Sequence, residues 1–149
     1  MRVLVVHDPF SPDFALARFA ERRDANAGAI ASFVGYCRSA DGAVDTLELQ
    51  HYPGFTEIEV ERLAGQVAQR HALQDLLVIH RVGAIGAGEP IVLVAAMSAH
   101  RAAAFAAVSE MMDYLKTDAP FWKRETGSAG ARWIEPTALD YARRQARAK

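Results

Sequence analysis

MMDYLKTDAPFWKRE, residues 111–125, carries the switch from helix to strand on which the fold is read. Its first half closes a helix predicted over His100–Lys116, where Phe105, Val108, Met111, Met112 and Leu115 recur at helical spacing and define one apolar stripe. Asp118-Ala119-Pro120 stops that helix, because proline lacks an N–H and disfavours the helical conformation of the residue before it. Phe121–Glu125 then reads as a short strand. Two lysines, Lys116 and Lys123, flank the stop, in a chain with only three lysines against 14 arginines. A sequence that uses arginine almost everywhere, yet keeps lysine twice within eight residues, points to a need for an amine. Lysine can give up its proton when buried and arginine cannot. The competing reading is a pair of solvated surface charges.

On either side of this switch, apolar runs and turn residues mark the other elements. Arg2–Val6 and Gly28–Tyr36 read as strands, as do Leu76–Val82 and Ile91–Ser98. Val44–Tyr52 alternates polar Thr46, Glu48 and Gln50 with Leu47 and Leu49, the signature of a half-exposed strand. Ser11-Pro12-Asp13 opens a helix to about Arg23 with Phe14, Ala17 and Phe19 partly inward. Thr56-x-x-Glu59 has the form of a capping box for a helix to about His71. Arg132–Glu135 pairs with Phe121–Glu125 around a Gly127–Gly130 turn, Ser39–Gly42 is a polar loop, and Thr137–Lys149 is a polar basic tail, helical at most in part. Helices and strands mix without a steady βαβ rhythm, so the expectation is an α+β, or mixed two-layer, single domain over residues 1–149.

Composition excludes several classes. With 51% hydrophobic and 23% charged residues the chain is globular, and its length buries about two thirds of the unfolded surface without staples. The longest apolar runs are too short to cross a bilayer, and MRVLVVHDPF has no signal-peptide core. A single cysteine, Cys37, rules out an internal disulfide framework. These features point to the cytoplasm, with no membrane partner. A net charge of −1 argues against nucleic acid. Residues 1–75 carry seven basic and eleven acidic side chains, whereas residues 76–149 carry ten and seven. The basic surplus lies in the half that holds the lysines, which fits a small anionic ligand.

Gly83-Ala84-Ile85-Gly86-Ala87-Gly88 has the wrong spacing for a dinucleotide fingerprint and opens no helix, so it is expected to be a loop. The histidines (7, 51, 71, 80 and 100) and Cys37 lack zinc-ligand spacing, and no G-x-S-x-G elbow is present. Ser98-Ala99-His100-Arg101 stands where a buried strand gives way to a helix, a position that attracts anions. A capping His and a solvated Arg is the other reading there. Phe33–Arg38 ends a strand in Gly35, Tyr36, Cys37 and Arg38 before a polar loop; loops at strand ends commonly carry function, although Arg38 alone reads as a surface charge and Cys37 as a buried hydrophobe.

In order along the chain, FVGYCR (33–38), LQHYPGFTE (49–57), IHRVG (79–83), SAHR (98–101), MDYLKTDAPFWKRE (112–125) and WIE (133–135) resemble the large, catalytic subunit of molybdopterin synthase. The resemblance implies an α/β hammerhead fold with an additional antiparallel β subdomain, and a homodimer within a heterotetramer. It implies a small ubiquitin-like sulfur carrier, ending in a Gly-Gly thiocarboxylate, as partner. The implied reaction is transfer of sulfur to cyclic pyranopterin monophosphate to make the molybdopterin dithiolene, with no metal and no diffusible cofactor. On this resemblance Lys116 and Lys123 are catalytic. Arg38, His100 and Arg101 line the substrate pocket and hold its phosphate, Arg124 and Glu125 flank the second lysine, and Tyr36 and Cys37 occupy pocket positions. Gln50 stands where the family usually has Glu.

The cationic half agrees with an anionic thiocarboxylate meeting a phosphate ester. Lysines crowded by Arg38, Arg101 and Arg124 are expected to have lowered pKa values, with Lys116 transferring a proton beside the carrier terminus and Lys123 positioning the pterin. Three other functions stay open on the residues alone: a Schiff-base lysine enzyme, a non-catalytic dock for a ubiquitin-like protein, and an RNA contact through Arg143, Arg144, Arg147 and Lys149.

Overall fold

The structure, a computed structural model, describes residues 1–39 and 42–147. Two residues of the expected polar loop, and the last two of the expected tail, lie outside the described residues. Twelve elements follow in order: β1 (Arg2–Val6), α1 (Pro12–Ala20), β2 (Ala29–Tyr36), β3 (Thr46–His51), α2 (Phe55–Arg70), β4 (Asp75–Arg81), β5 (Gly83–Gly86), β6 (Pro90–Ser98), α3 (Arg101–Thr117), β7 (Phe121–Gly127), β8 (Gly130–Ile134) and α4 (Ala138–Ala146).

These elements form an α+β fold of two four-stranded sheets. The first has the order β1-β4-β6-β2, with β1 parallel to β4 and the other pairs antiparallel. The second, β5-β3-β7-β8, is antiparallel throughout. Alternation along β4 explains the layering. Leu76 and Val78 face a core with Val60, Leu63 and Val67 of α2 and Ala107 and Met111 of α3. Leu77 and Ile79 face the opposite side, where Phe19 of α1 packs with Leu93 and Met97. A strand segment covered on both faces must be apolar at nearly every position, as β4 is from Leu76 to Ile79 and β6 from Ile91 to Met97. Among the described residues no helix is long and apolar enough to cross a membrane.

Several expectations shift once packing is seen. The stretch expected to be a glycine loop begins with β5, whose Gly83–Gly86 pair with Leu49–Thr46 of β3. The start of α2 lies earlier than the capping box predicted. Gly54, at φ 84°, precedes the helix, and the Glu57 carboxylate accepts from its N–H at 2.7 Å. Thr56 is fully buried instead of capping: its hydroxyl accepts from the Tyr52 N–H at 2.9 Å and donates to the Pro120 carbonyl at 3.2 Å. Phe14, Ala17 and Phe105 turn outward, leaving Leu16 and Phe19 to pack α1. Residues 138–146 of the expected tail form a helix, α4. The Thr137 hydroxyl caps it by accepting from the Asp140 N–H at 3.3 Å.

Candidate active site

The last turn of α3 ends in a tight wrap, with the N–H groups of Asp118 and Ala119 both donating to the Tyr114 carbonyl, at 2.8 and 2.9 Å. Pro120 then turns the chain into β7, and the Thr56 hydroxyl holds that turn from the side of α2. Lys116 therefore leaves α3 exposed, while Lys123 enters β7 three residues after the proline.

The register of β7 sets which way each side chain points. Lys123 is paired with Leu49 and Glu125 with Leu47, the two buried leucines of β3. Lys123 and Glu125 thus share the inner face of the second sheet, because successive strand residues alternate faces. Arg124 takes the outer face. It donates to Glu48 at 2.6 Å and lies 5.7 Å from the centre of the Trp133 ring. The expectation that Arg124 shares a pocket with Lys123 is corrected by this alternation.

A cavity of about 400 Å³ opens on that inner face. Tyr36, Cys37 and Arg38 from the end of β2 line it with Lys116, Lys123, Glu125, Arg132 and Ile134. Five residues from β2 and β7 and one from α3, all expected from the sequence, meet here. Lys116 and Lys123 also line a narrow adjoining cleft with Leu115, Phe121, Ile134, Glu135 and Pro136. A larger groove of about 580 Å³ lies between α1 and β1 and contains none of the expected residues. His100 and Arg101 do not reach the lysines within one chain. They stand at the N-terminus of α3, roughly 24 Å from Lys116 at 1.5 Å per residue.

Burial and Lys116 push the Lys123 pKa down to about 8, against the opposing pull of Asp140 and Glu125. Crowding by arginines, the expected cause, is absent from that balance. Burial is also the main reason the Cys37 thiol is pushed up, opposed by a hydrogen bond from the backbone of Leu47 and assisted by Glu125 and Glu89. Cys37 is thus a neutral wall of the cavity and not an activated nucleophile. Behind β7, the His80 ring stacks on Phe121 at 4.0 Å, and burial drives its pKa down to about 4. A neutral imidazole therefore supports the strand that carries Lys123. Among the described residues no group of three His, Cys, Asp or Glu side chains could hold a metal ion.

Two residues at this site escaped the sequence reading. Arg132 faces Glu125 across the β7–β8 ladder and lines the cavity; its spacing of two from Ile134 was the available signal. Asp140 acts on Lys123 from the first turn of α4, and Thr137-x-x-Asp140 was the helix-start motif that could have revealed it.

Residues 5–118 match the family described as MoaE protein. The chain is 48% identical over 140 residues to the molybdopterin synthase catalytic subunit of Caulobacter vibrioides, covering 94% of this chain and 93% of that one. It is 47% identical over 142 residues to the protein of the same name from Cereibacter sphaeroides, covering 95% of this chain and 97% of that one. The fold superposes on a solved molybdopterin biosynthesis MoaE protein from Burkholderia ambifaria with a TM-score of 0.78 at 38% identity, over 95% of both chains. At 20% identity it shares its fold, with a TM-score of 0.75 over 89% of both chains, with a chain in the complex of subunits 1 and 2 of molybdopterin-converting factor from Helicobacter pylori.

Proposed function

The chain belongs to the MoaE protein family, and from that premise we propose that it is the catalytic subunit of a molybdopterin synthase. In this reading it moves sulfur from the C-terminal thiocarboxylate of a small ubiquitin-like carrier to cyclic pyranopterin monophosphate. The observation that supports this most is the convergence of Lys116 and Lys123, from two different elements, on one cavity with Arg38 and Arg132 at its wall. The relatives named molybdopterin synthase catalytic subunits support this class of reaction.

The chemistry asks for two things that this cavity offers. A thiocarboxylate and a phosphate ester repel one another, and clustered cations offset that repulsion where charge develops. Sulfur addition and departure of the displaced oxygen also require a proton to move. A lysine with a pKa near 8 is suited to this, because it is appreciably populated in both forms near neutral pH. This moves the proton-transfer role from Lys116 to Lys123. The exposed Lys116 becomes the charge that receives the carrier terminus. Glu125, on the same face, orients the pair, and Tyr36 and Cys37 shape the wall.

His100 and Arg101 enter this reading from a second copy. They are too far along α3 to serve their own lysines, so in this reading a second copy of a homodimer supplies them. In this reading the reaction takes place in the cytoplasm. Mixing the purified chain with thiocarboxylated carrier and cyclic pyranopterin monophosphate, and assaying dithiolene, tests the proposal. Product is expected, and carrier binding without product would reduce the chain to a docking module.

A further inference from the structure

Helix α4 packs on α3 with its charges turned inward. Asp140, Arg144 and Arg147 are its less exposed side chains, about one turn apart, while Leu139 and Tyr141 face outward. Arg147 donates to Asp113 and to Ser109, each at 2.5 Å. Arg144 donates to both Asp118 oxygens at 3.1 Å and sets its guanidinium 4.4 Å over the Tyr114 ring. The two helices are therefore antiparallel, and each turn toward the start of α4 moves toward the end of α3. One more turn, about 5.4 Å, leads from Arg144 to Asp140, just beyond the end of α3 whose last turn carries Lys116.

The chain reaches the same place from the other direction. Ile134 pairs with Lys123, Pro136 lines the cleft with both lysines, and Thr137 caps α4 immediately afterwards. The N–H and hydroxyl of Thr137 both donate to one oxygen of Asp140 at 2.8 Å, so the carboxylate is fixed by its own helix cap.

We propose that Asp140 is a positioning residue for the Lys116–Lys123 pair, a carboxylate clamped at the edge of their cleft by the docking of α4 on α3. The inference rests on reading the two lysines as the sulfur-transfer machinery. The electrostatics agree with the geometry. Burial and Lys116 lower the Lys123 pKa, and Asp140 is the foremost group opposing them. Asp140 is itself held low, first by the Thr137 hydrogen bonds and then by Lys116 and Arg143. The other charged or titratable groups facing this cluster are Glu125 on β7, Glu135 in the cleft, Tyr36, Cys37, Arg38 and Arg132 at the cavity wall, and His80 behind β7. Without Asp140, two like charges at a buried site would drive one another apart or neutral before an anionic substrate arrived.

The test is an NMR titration of the full chain labelled with ε-13C lysine, its signals assigned with Lys116→Arg and Lys123→Arg variants. Asp140→Asn keeps a carbonyl able to accept from Thr137, and it is expected to lower the Lys123 midpoint by about half a pH unit or more. Asp140→Glu is expected to restore it. Thr137→Ala removes the cap hydroxyl and keeps the carboxylate, so it measures the effect of loosening the helix alone. An Asp140→Asn midpoint equal to that of the wild type, or no lower than that of Thr137→Ala, overturns the proposal. The titration needs no sulfur transfer. A chain that makes dithiolene with an unmoved midpoint keeps its reaction and loses Asp140 as a positioning residue; a chain that makes none, with a lowered midpoint, loses the reaction and keeps Asp140.

Discussion

Lys116, in the last turn of α3, and Lys123, on the inner face of β7, open onto the same cavity although Pro120 separates their elements. The turn between them is held from outside by the hydroxyl of Thr56. The relative position of the two amines is thus set by the packing of three elements, α2, α3 and β7.

That dependence makes Thr56 a test of geometry. Thr56→Val conserves shape but leaves the Tyr52 N–H and the Pro120 carbonyl without the hydroxyl. The expected loss is about 1–3 kcal/mol in denaturant unfolding, the usual cost of stranding buried polar groups. Sulfur transfer is expected to fall with it under conditions where the variant remains folded.

Burial of Lys123 predicts an activity–stability conflict. In the unfolded chain this lysine keeps its proton up to its ordinary pKa, whereas in the folded chain it loses it above about 8. The group therefore opposes folding fully below pH 8, and the cost fades as pH rises from 8 toward the ordinary lysine value. The whole difference corresponds to roughly 3 kcal/mol, and water reaching the open cavity reduces it to roughly 1–2. Lys123→Met is expected to raise thermal stability at pH 7 while abolishing transfer, with a gain that shrinks above pH 8. Equal melting shifts at pH 7 and pH 10 would contradict the assignment.

The proposed completion of the site by a second copy predicts complementation. Lys116→Ala and His100→Ala are each expected to be inactive alone. Mixed in equal amounts and allowed to exchange subunits, they should recover about one quarter of wild-type activity, because random pairing makes half the dimers mixed and each mixed dimer has one intact site. No recovery after verified exchange would place His100 outside the site.

The docking of α4 predicts a local, not global, response. Arg144→Ala removes the Asp118 pair and the contact with the Tyr114 ring. A partly exposed interaction of this kind is expected to cost about 1 kcal/mol. Hydrogen exchange should then quicken in residues 138–146 and leave β4 and β6 protected.

Much of this was legible in the residues. The apolar spacing of Val108, Met111 and Leu115 marked α3, and the alternation of Leu47 and Leu49 marked β3, because each element buries a face with its own period. The lysine pair stood out because the chain otherwise prefers arginine. Adjacency misled at Arg124: neighbours in sequence fall on opposite faces of a strand, so the residue beside Lys123 points away from the cavity. β5 was hidden because Gly83–Gly86 is a strand only by virtue of its partner β3. α4 was legible only as a partly helical tail because its inward stripe is charged, and a helix that docks beside Arg144 and Arg147 has no apolar period to read. The separation of His100 from Lys116 follows from helix length alone.

The most direct test of the central claim is a single-turnover reconstitution with thiocarboxylated carrier and cyclic pyranopterin monophosphate, comparing wild type with Lys123→Ala while carrier affinity is measured in parallel. The account predicts dithiolene from the wild type, and carrier binding unchanged in the variant with product formation slowed by about a thousandfold, within the usual range for loss of a proton-transfer group. Transfer by Lys123→Ala at the wild-type rate would contradict it.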